Sequence, residues 1–303
     1  MNEINVNLSA CRKGEIIARD VVYNGEIMDD SKEPILEVKS IIIALARGEQ
    51  LEYGVVKRLT DVACKSIINE DDSILEYFRE IYDYDDYTYF HSINVAFYAM
   101  LIGKWIHMSQ RELLDVIQAG LLHDIGKMKI PKDILNKKSK LTDAEFMIIK
   151  QHSLAGYELL KNSYVVNEEV KQAVLLHHER IDGSGYPSAI TGTAMGNYAK
   201  IIAIADVYDA MTSNRSYKVG VTPFEAFEMF STIGTSVFEP SIVSAFLLNM
   251  SAHLIGTKVK MSNGDIGEVV YIPFDKMGSP IICINSCHIE ISKNSNPHIV
   301  CFL

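Results

Sequence analysis

The sequence predicts a mainly α-helical protein, a helical bundle flanked by a small N-terminal β/α segment and a small C-terminal β module. Three observations carry that expectation. From about residue 71 to 250, apolar residues recur at helical spacing and capping signals punctuate them. After about Leu254 the period shortens to alternation, with turn residues between the runs. The first 35 residues hold only short β-like runs that end in a cluster of breakers. The expected divisions are a segment of unassigned role over 1–70, the helical domain over 71–253 and the β module over 254–303.

In chain order, Ile4–Leu8 and Ile16–Tyr23 are the two β-like runs, followed by Gly25-Glu26 and the breaker cluster DDSKEP. Residues 37–82 read as helical, interrupted by Gly48 and Gly54. LTDAEF carries a capping box, Thr142 with Glu145, and opens a helix expected to run through His152 to about Leu160. NYAKIIAIADVYDAMTS is an apolar helix with Asp206 in its middle. VTPFEAFEMFSTIG is a full start-and-stop signal: Thr222 caps, Pro223 takes the first helical position, Glu225 closes the box and Gly234 ends the helix. TKVKMSNGDIGEVVYI then alternates around Asn263-Gly264, a hairpin signal, and Pro280–Asn285, His288–Ser292 and Ile299–Leu303 read as further strands.

With 303 residues, 48% hydrophobic and 22% charged, the chain has a globular composition and room for one large domain with appendages. Cys11, Cys64, Cys283, Cys287 and Cys301 form no CxxC pair, so neither a disulfide frame nor a zinc knuckle is favoured, as suits a reduced, cytoplasmic setting. The N-terminus lacks the basic-then-apolar layout of a signal peptide. The apolar run from Ile93 to Gly103 is interrupted by Asn94 and stopped at Lys104, too short to span a bilayer. A net charge of −10 argues against duplex nucleic acid as a partner. It does not argue against a small anionic ligand, because bound cations can be the largest local charges in a site.

The chemistry is concentrated in the helical part. His91, His123, His152, His177 and His178 fall there, as do Asp124 and Asp206, each acid embedded in apolar sequence. A buried carboxylate without a partner is costly, so each acid needs a cation or strong donors. Any one of these residues alone is best read as a hydrogen-bonded core group. Seven together, with an adjacent His-Asp and an adjacent His-His, point to metal. In LLHHERIDGSGYP the two imidazoles stand at a helix end, where side chains about 100° apart can flank one point. Seven nitrogen and carboxylate donors from about five helices are too many for one first-row metal and suit two that share a bridge. Without a thiolate the set favours Fe(II) or Mn(II), with Zn, Co or Ni as alternatives.

LLHDIGK, then HHERIDGSGYP, then IADVYDAMTSNRSYK resembles the HD-GYP family, a branch of the HD phosphohydrolases, over about residues 83–250. The resemblance implies an HD-type helical bundle and a metal-dependent phosphodiesterase that converts cyclic di-GMP to linear pGpG, GMP or both. It assigns His91, His123, Asp124 and Asp206 to one metal, and Asp124, His152, His177 and His178 to the other, with Asp124 bridging. It places Tyr186, Arg215 and Lys218 against the substrate, with Arg180 and Asp182 of the same motif beside them. It also implies diguanylate cyclase (GGDEF) proteins as partners and leaves room for an oligomer. Some members carry a Glu one helical turn before the first histidine that helps to hold a third metal; Tyr87 stands there instead, which favours two. The usual Gly-Leu-x-Gly after the GYP turn is SAITG here, and the Asp of a later Phe-Asp-Pro is Glu239.

In the expected reaction a hydroxide held between the two metals attacks the phosphodiester in line. Lys127 then either stabilises the developing charge or protonates the leaving oxygen; its bland alternative is a cation at a helix C-terminus. Two other readings stay open: a non-catalytic cyclic-dinucleotide sensor or protein-interaction module, and a phosphodiesterase for another cyclic dinucleotide.

Overall fold

The computed structural model describes residues 4–5, 22–23, 26–27 and 87–303, the last without 138 and 214–219. The chain divides into two units, Met1–Ile68 and Asn69–Leu303. In the first, β1 (Ile4–Asn5), β2 (Val22–Tyr23) and β3 (Glu26–Ile27) form an antiparallel sheet in that order. Asn24-Gly25, a two-residue hairpin signal, separates β2 from β3, so Glu26 opens a third strand that the two β-like runs did not include. The helical reading of residues 37–82 lies outside the described residues.

The second unit is built around α1 (Tyr87–Trp105). Every residue from His91 to Gly103 is buried, as expected of a helix that carries no charged residue between His91 and Lys104 and is apolar all round. Against it lie α2 (Gln110–Leu122) and α7 (Asn197–Thr212). Ser109 opens α2 with a capping box: its Oγ accepts from the Glu112 amide, and the Glu112 carboxylate accepts from the Ser109 amide at 2.8 Å. A 3-10 turn, Ile125–Lys129, and the short α3 (Lys132–Leu135) follow. Next come α4 (Asp143–Ile149), α5 (His152–Leu160) and α6 (Glu168–Leu176), with α5 packed on both the 3-10 turn and α6. The chain then runs through α8 (Pro223–Met229), a π turn at Phe230–Gly234, α9 (Thr235–Val237) and α10 (Pro240–Leu254). The buried rings of Tyr208, Phe230 and Phe246 tie these helices together, with Phe246 centroids 5.0 Å from Tyr208 and 5.4 Å from Phe230.

Two expected helices differ in their limits. The helix opened by Thr142 is not continuous to Leu160: Lys150 and Gln151 flatten to ψ −19° and −12°, separating α4 from α5. The Ile149 carbonyl is taken by the His152 ring at 2.7 Å. Nor does Gly234 end the helix begun at Pro223. Its φ of −57° is helical, and the chain continues to Val237. It stops where Glu239 precedes Pro240, a position driven out of the helical region. Thr222 caps as expected, accepting from the Glu225 amide, but the Glu225 carboxylate reaches Lys293 at 2.9 Å.

After α10 the alternating segments form the expected module, a five-stranded antiparallel sheet in the order β7-β6-β5-β4-β8. Its strands are β4 (Lys258–Met261), β5 (Ile266–Tyr271), β6 (Ile281–Ile284), β7 (Cys287–Glu290) and β8 (Ile299–Phe302). Val259, Met261, Val269, Ile282 and Ile284 supply its buried face. Besides Lys293, the Phe302 ring joins it to α8, 5.7 Å from Phe224. Among the described residues no helix is long and apolar enough to cross a membrane.

Candidate metal centre

Five helices converge at one end of α1. His91 comes from α1, His123 and Asp124 from the junction of α2 with the 3-10 turn, His152 from the start of α5, His177 and His178 from the end of α6, and Asp206 from α7. One close approach fixes α5 against the junction. A Cβ on Gly126 would run into the His152 carbonyl and the Gly156 amide, so only glycine lets His152 come beside Asp124.

The donors fall into two groups, Asp124 with His152, His177 and His178, and His91 with His123 and Asp206; within each, the atoms lie within 4.8 Å of one another. Asp124 faces both. Its Oδ1 is 3.3 Å from His152 Nε2, and its Oδ2 is 3.3 Å from His123 Nε2 and 3.6 Å from His91 Nε2. Asp206 also has two neighbours, with Oδ1 3.1 Å from His91 Nε2 and Oδ2 3.8 Å from His178 Nδ1.

Ring hydrogens decide what these atoms can do. The Nδ1 atoms of His123, His152 and His177 lie 2.7, 2.7 and 2.8 Å from the carbonyls of Gly120, Ile149 and Val174. A carbonyl only accepts, so each Nδ1 carries the hydrogen and each Nε2 presents a lone pair. His91 Nδ1 donates instead to Asp209 Oδ2 at 2.7 Å. The consequence is a pair of facing lone pairs, His152 with His177, at 3.3 Å, while His91 Nε2 lies 3.3 Å from the lone pair of His123 Nε2 and turns its hydrogen to Asp206 Oδ1 at 3.1 Å until a cation replaces it. Asp124 Oδ1, buried, has no hydrogen-bond partner. Facing nitrogens and an orphaned carboxylate oxygen are unfavourable alone and are satisfied by cations between them, so the donor set fits divalent metal.

The titration behaviour agrees. Burial holds His178 down to about 3, and holds His152 and His177 below their usual range; all three are neutral, as a ligand must be. Burial also works against the charge on His91, but hydrogen bonds to Asp206 and Asp209 outweigh it and lift the group to about 9. Burial opposes ionisation of Asp124 and Asp206 too, yet nearby positive charge on the first and the hydrogen bond from His91 on the second keep both well below the usual carboxylate range. For Asp124 the largest such influence is Lys127, whose ammonium contacts Oδ2.

A family model described as HD domain matches residues 74–242. The chain belongs to the HD domain family. The resemblance of its GYP segment to the HD-GYP branch stands beside that assignment. The chain is 32% identical over 236 residues to a cyclic di-GMP phosphodiesterase of Pseudomonas aeruginosa, covering 77% of this chain and 56% of that protein. It is 35% identical over 158 residues to a 3'3'-cGAMP-specific phosphodiesterase of Vibrio cholerae, covering 52% and 30%. The chain thus spans little more than half of the first relative and under a third of the second. Among solved structures it matches an HDG"Y"P protein from Bdellovibrio bacteriovorus with a TM-score of 0.60 and 15% identity, over 73% of this chain and 70% of that one, a likeness of fold.

Within the HD domain the motif residues separate into those at the donors and those that shape the loop. The Tyr186 ring stacks on His178, centroids 4.5 Å apart and 26° from parallel. Burial pushes its phenol up, so the hydroxyl stays protonated. A Cβ on Gly185 would strike Glu179 Cα, the Arg180 amide and the His178 carbonyl, and the Tyr186 amide donates to that carbonyl at 3.2 Å. The loop is therefore folded tightly back on the end of α6. Arg180 and Asp182 serve that fold. The guanidinium donates to the carbonyls of His177 and Glu179 and lies 4.8 Å over the Phe238 ring. Asp182, exposed, accepts from the amide and hydroxyl of Ser184. Arg215, Lys218 and the side chain of Tyr87 lie outside the described residues.

Two residues escaped the sequence reading. Asp209, fully buried, accepts from His91 Nδ1, from Asn94 Nδ2 at 2.7 Å and from Ser213 Oγ at 2.8 Å. Its signal was its place three residues after Asp206, on the same helix face. Glu179, also fully buried, accepts from the amides of Ser188 and Ile190 at 2.7 and 3.2 Å and so ties down the SAITG segment. Nothing in the sequence marked it apart from its place beside the paired histidines. Glu239, the departure from Phe-Asp-Pro, pairs with Lys200 at 2.7 Å, away from the donors.

Proposed function

We propose that this HD domain is a metal-dependent phosphodiesterase that hydrolyses cyclic di-GMP to linear pGpG, GMP or both, in the cytoplasm. The observation that carries the reading is Asp124, which turns one oxygen to each of two donor groups. In this reading Asp124, His152, His177 and His178 would hold one divalent ion, and His91, His123 and Asp206, together with Asp124, would hold a second. The absence of thiolate among the donors suits Fe(II) or Mn(II). When bound, such ions lower the pKa of a water molecule and neutralise charge on phosphodiester oxygens.

The chain's own groups do the rest. Asp124 and Asp206 stay ionised and orient the facing imidazoles, while the Nδ1 hydrogen bonds keep those rings from turning. Lys127, held on Asp124 Oδ2 at the edge of the site, carries the proton that the leaving oxygen requires. The protonated Tyr186 offers its face to a base or its hydroxyl to a phosphate oxygen. Arg215 and Lys218 are assigned to phosphate contacts on the family resemblance.

A second reading has one specific support: a relative named for 3'3'-cGAMP is 35% identical over its matched length, between the 32% and 39% of two relatives named for cyclic di-GMP. Both readings are tested by incubating metal-loaded protein anaerobically with cyclic di-GMP, 3'3'-cGAMP and cyclic di-AMP and resolving the products by chromatography. Cyclic di-GMP turnover at the highest kcat/KM supports the first reading, and preference for 3'3'-cGAMP the second. Tight binding without turnover of any would mean a sensor.

A further inference from the structure

Lys150 occupies the break between α4 and α5, two residues before His152. Its ammonium lies 4.9 Å from the ring centroid of Phe146 and 5.2 Å from that of Tyr186, a cation held against two aromatic faces. Tyr186 stacks in turn on His178. Lys150 is therefore one ring removed from the donor groups without belonging to them. Lys127, Lys137, Lys161, Lys200 and Lys293 each meet a carboxylate. Among the described residues Lys150 meets none, although the chain has 39 acids to 29 bases. A half-buried ammonium fixed beside a candidate substrate ring and left without an anion calls for one from the ligand.

We propose that Lys150 is a substrate-recognition residue that binds the phosphate of a cyclic dinucleotide that is not being cleaved. The proposal rests on the reading of the site as a cyclic-dinucleotide phosphodiesterase. A cyclic dinucleotide carries two phosphodiesters in one ring, so with one at the donor groups the other is held nearby and keeps its full negative charge. Of the described cations beside the site, Lys127 is engaged on Asp124, and Arg180 on two carbonyls and Phe238, while Arg215 and Lys218, outside the described residues, are assigned to phosphate on the family resemblance alone. Lys150 is free for the second phosphate, and an ammonium, as a point charge, takes phosphate without demanding a set approach. Phe146 beside it is about half exposed and gives the attached base an aromatic surface to pack on.

The test separates charge recognition from mere packing of the loop. Lys150→Met keeps the stem against both rings and removes the charge; Lys150→Arg keeps the charge. Each is assayed, with metal content measured, on cyclic di-GMP and on bis(p-nitrophenyl) phosphate, which has a single phosphodiester. The expected result for Lys150→Met is a rise of about 10- to 100-fold in KM for cyclic di-GMP, the worth of a hydrogen bond to a charged group. The change on bis(p-nitrophenyl) phosphate should be at least about tenfold smaller, by the same comparison. Lys150→Arg should recover most of the loss, and KM should depend less on salt in Lys150→Met than in wild type. Equal losses on both substrates, no loss on cyclic di-GMP, or a Lys150→Arg as impaired as Lys150→Met would each overturn the proposal. Wild-type protein that turns over no cyclic dinucleotide removes the functional reading and the proposal with it; wild-type turnover with unaffected Lys150→Met removes the proposal alone.

Discussion

Replacing Asp209 with Asn tests whether the donor set is tuned from outside. The carboxylate accepts three hydrogen bonds, from His91 on Oδ2 and from Asn94 and Ser213 on Oδ1. The amide has the same shape but only one accepting atom. If its nitrogen turns to His91, that ring can keep a hydrogen only on Nε2, the atom 3.1 Å from Asp206 and 3.3 Å from His123, and so offers no lone pair there to a metal. If the nitrogen turns the other way, it faces the donors of Asn94 and Ser213, and unsatisfied buried donors cost about 1–3 kcal/mol. Either outcome weakens the His91 group, and partners of this kind are worth about 10- to 100-fold in metal affinity, or about 1.4–2.8 kcal/mol. The assay is calorimetric titration of the metal-free protein with Mn(II), which should show one weakened site and one near wild type. Two sites of wild-type affinity in Asp209→Asn, with wild-type turnover, would refute the claim that Asp209 sets His91 for metal.

Three further outcomes are expected. Asp124→Asn keeps the shape but removes the charge that faces both groups, so turnover should be lost and metal content, by elemental analysis, should fall from two ions per chain. Tyr186→Ala should leave metal content unchanged and weaken cyclic di-GMP, measured as kcat/KM, by the worth of one stacked base, about 1–3 kcal/mol. In the metal-free protein, His178 is held down to about 3, so below its unfolded value near 6.5 the unfolded chain takes up a proton that the folded chain refuses. That single group should cost about 2 kcal/mol at pH 5. His91 acts oppositely: lifted to about 9, it contributes stability below 6.5 that is lost as pH rises through 9. Melting temperatures of chelator-treated protein from pH 5 to 9 check both, and a flat profile between pH 7 and 5 would contradict the buried neutral histidines.

The donors were legible because their chemistry conflicts with their surroundings: Asp124 and Asp206 sit in apolar sequence where an unaided carboxylate is unstable. The hairpin at Asn263-Gly264 and the cap at Thr222 were legible because local rules set them. What local rules do not set was not legible. The break at Lys150 depends on the His152 ring taking the Ile149 carbonyl, a choice made by the distant Asp124 junction. The continuation past Gly234 depends on Phe230 packing against Phe246, and the pairing of Glu225 depends on Lys293 in another part of the fold. Arg180 and Asp182 show the converse: a motif can be read correctly as a motif while some members serve its loop.

The carbonyls of Gly120, Ile149 and Val174 belong to the last turns of α2, α4 and α6, where backbone acceptors have no amide of their own helix to meet. The imidazoles that donate to them are therefore helix stoppers as well as candidate ligands. Stripping the ions leaves these three ends sealed, so the emptied protein should keep its helices and reload without refolding, unlike small domains that collapse when chelated. Exchanging one of these histidines for alanine removes a ligand and also unseals a helix. A fair measure of its value as a ligand alone needs a replacement that still donates to the carbonyl.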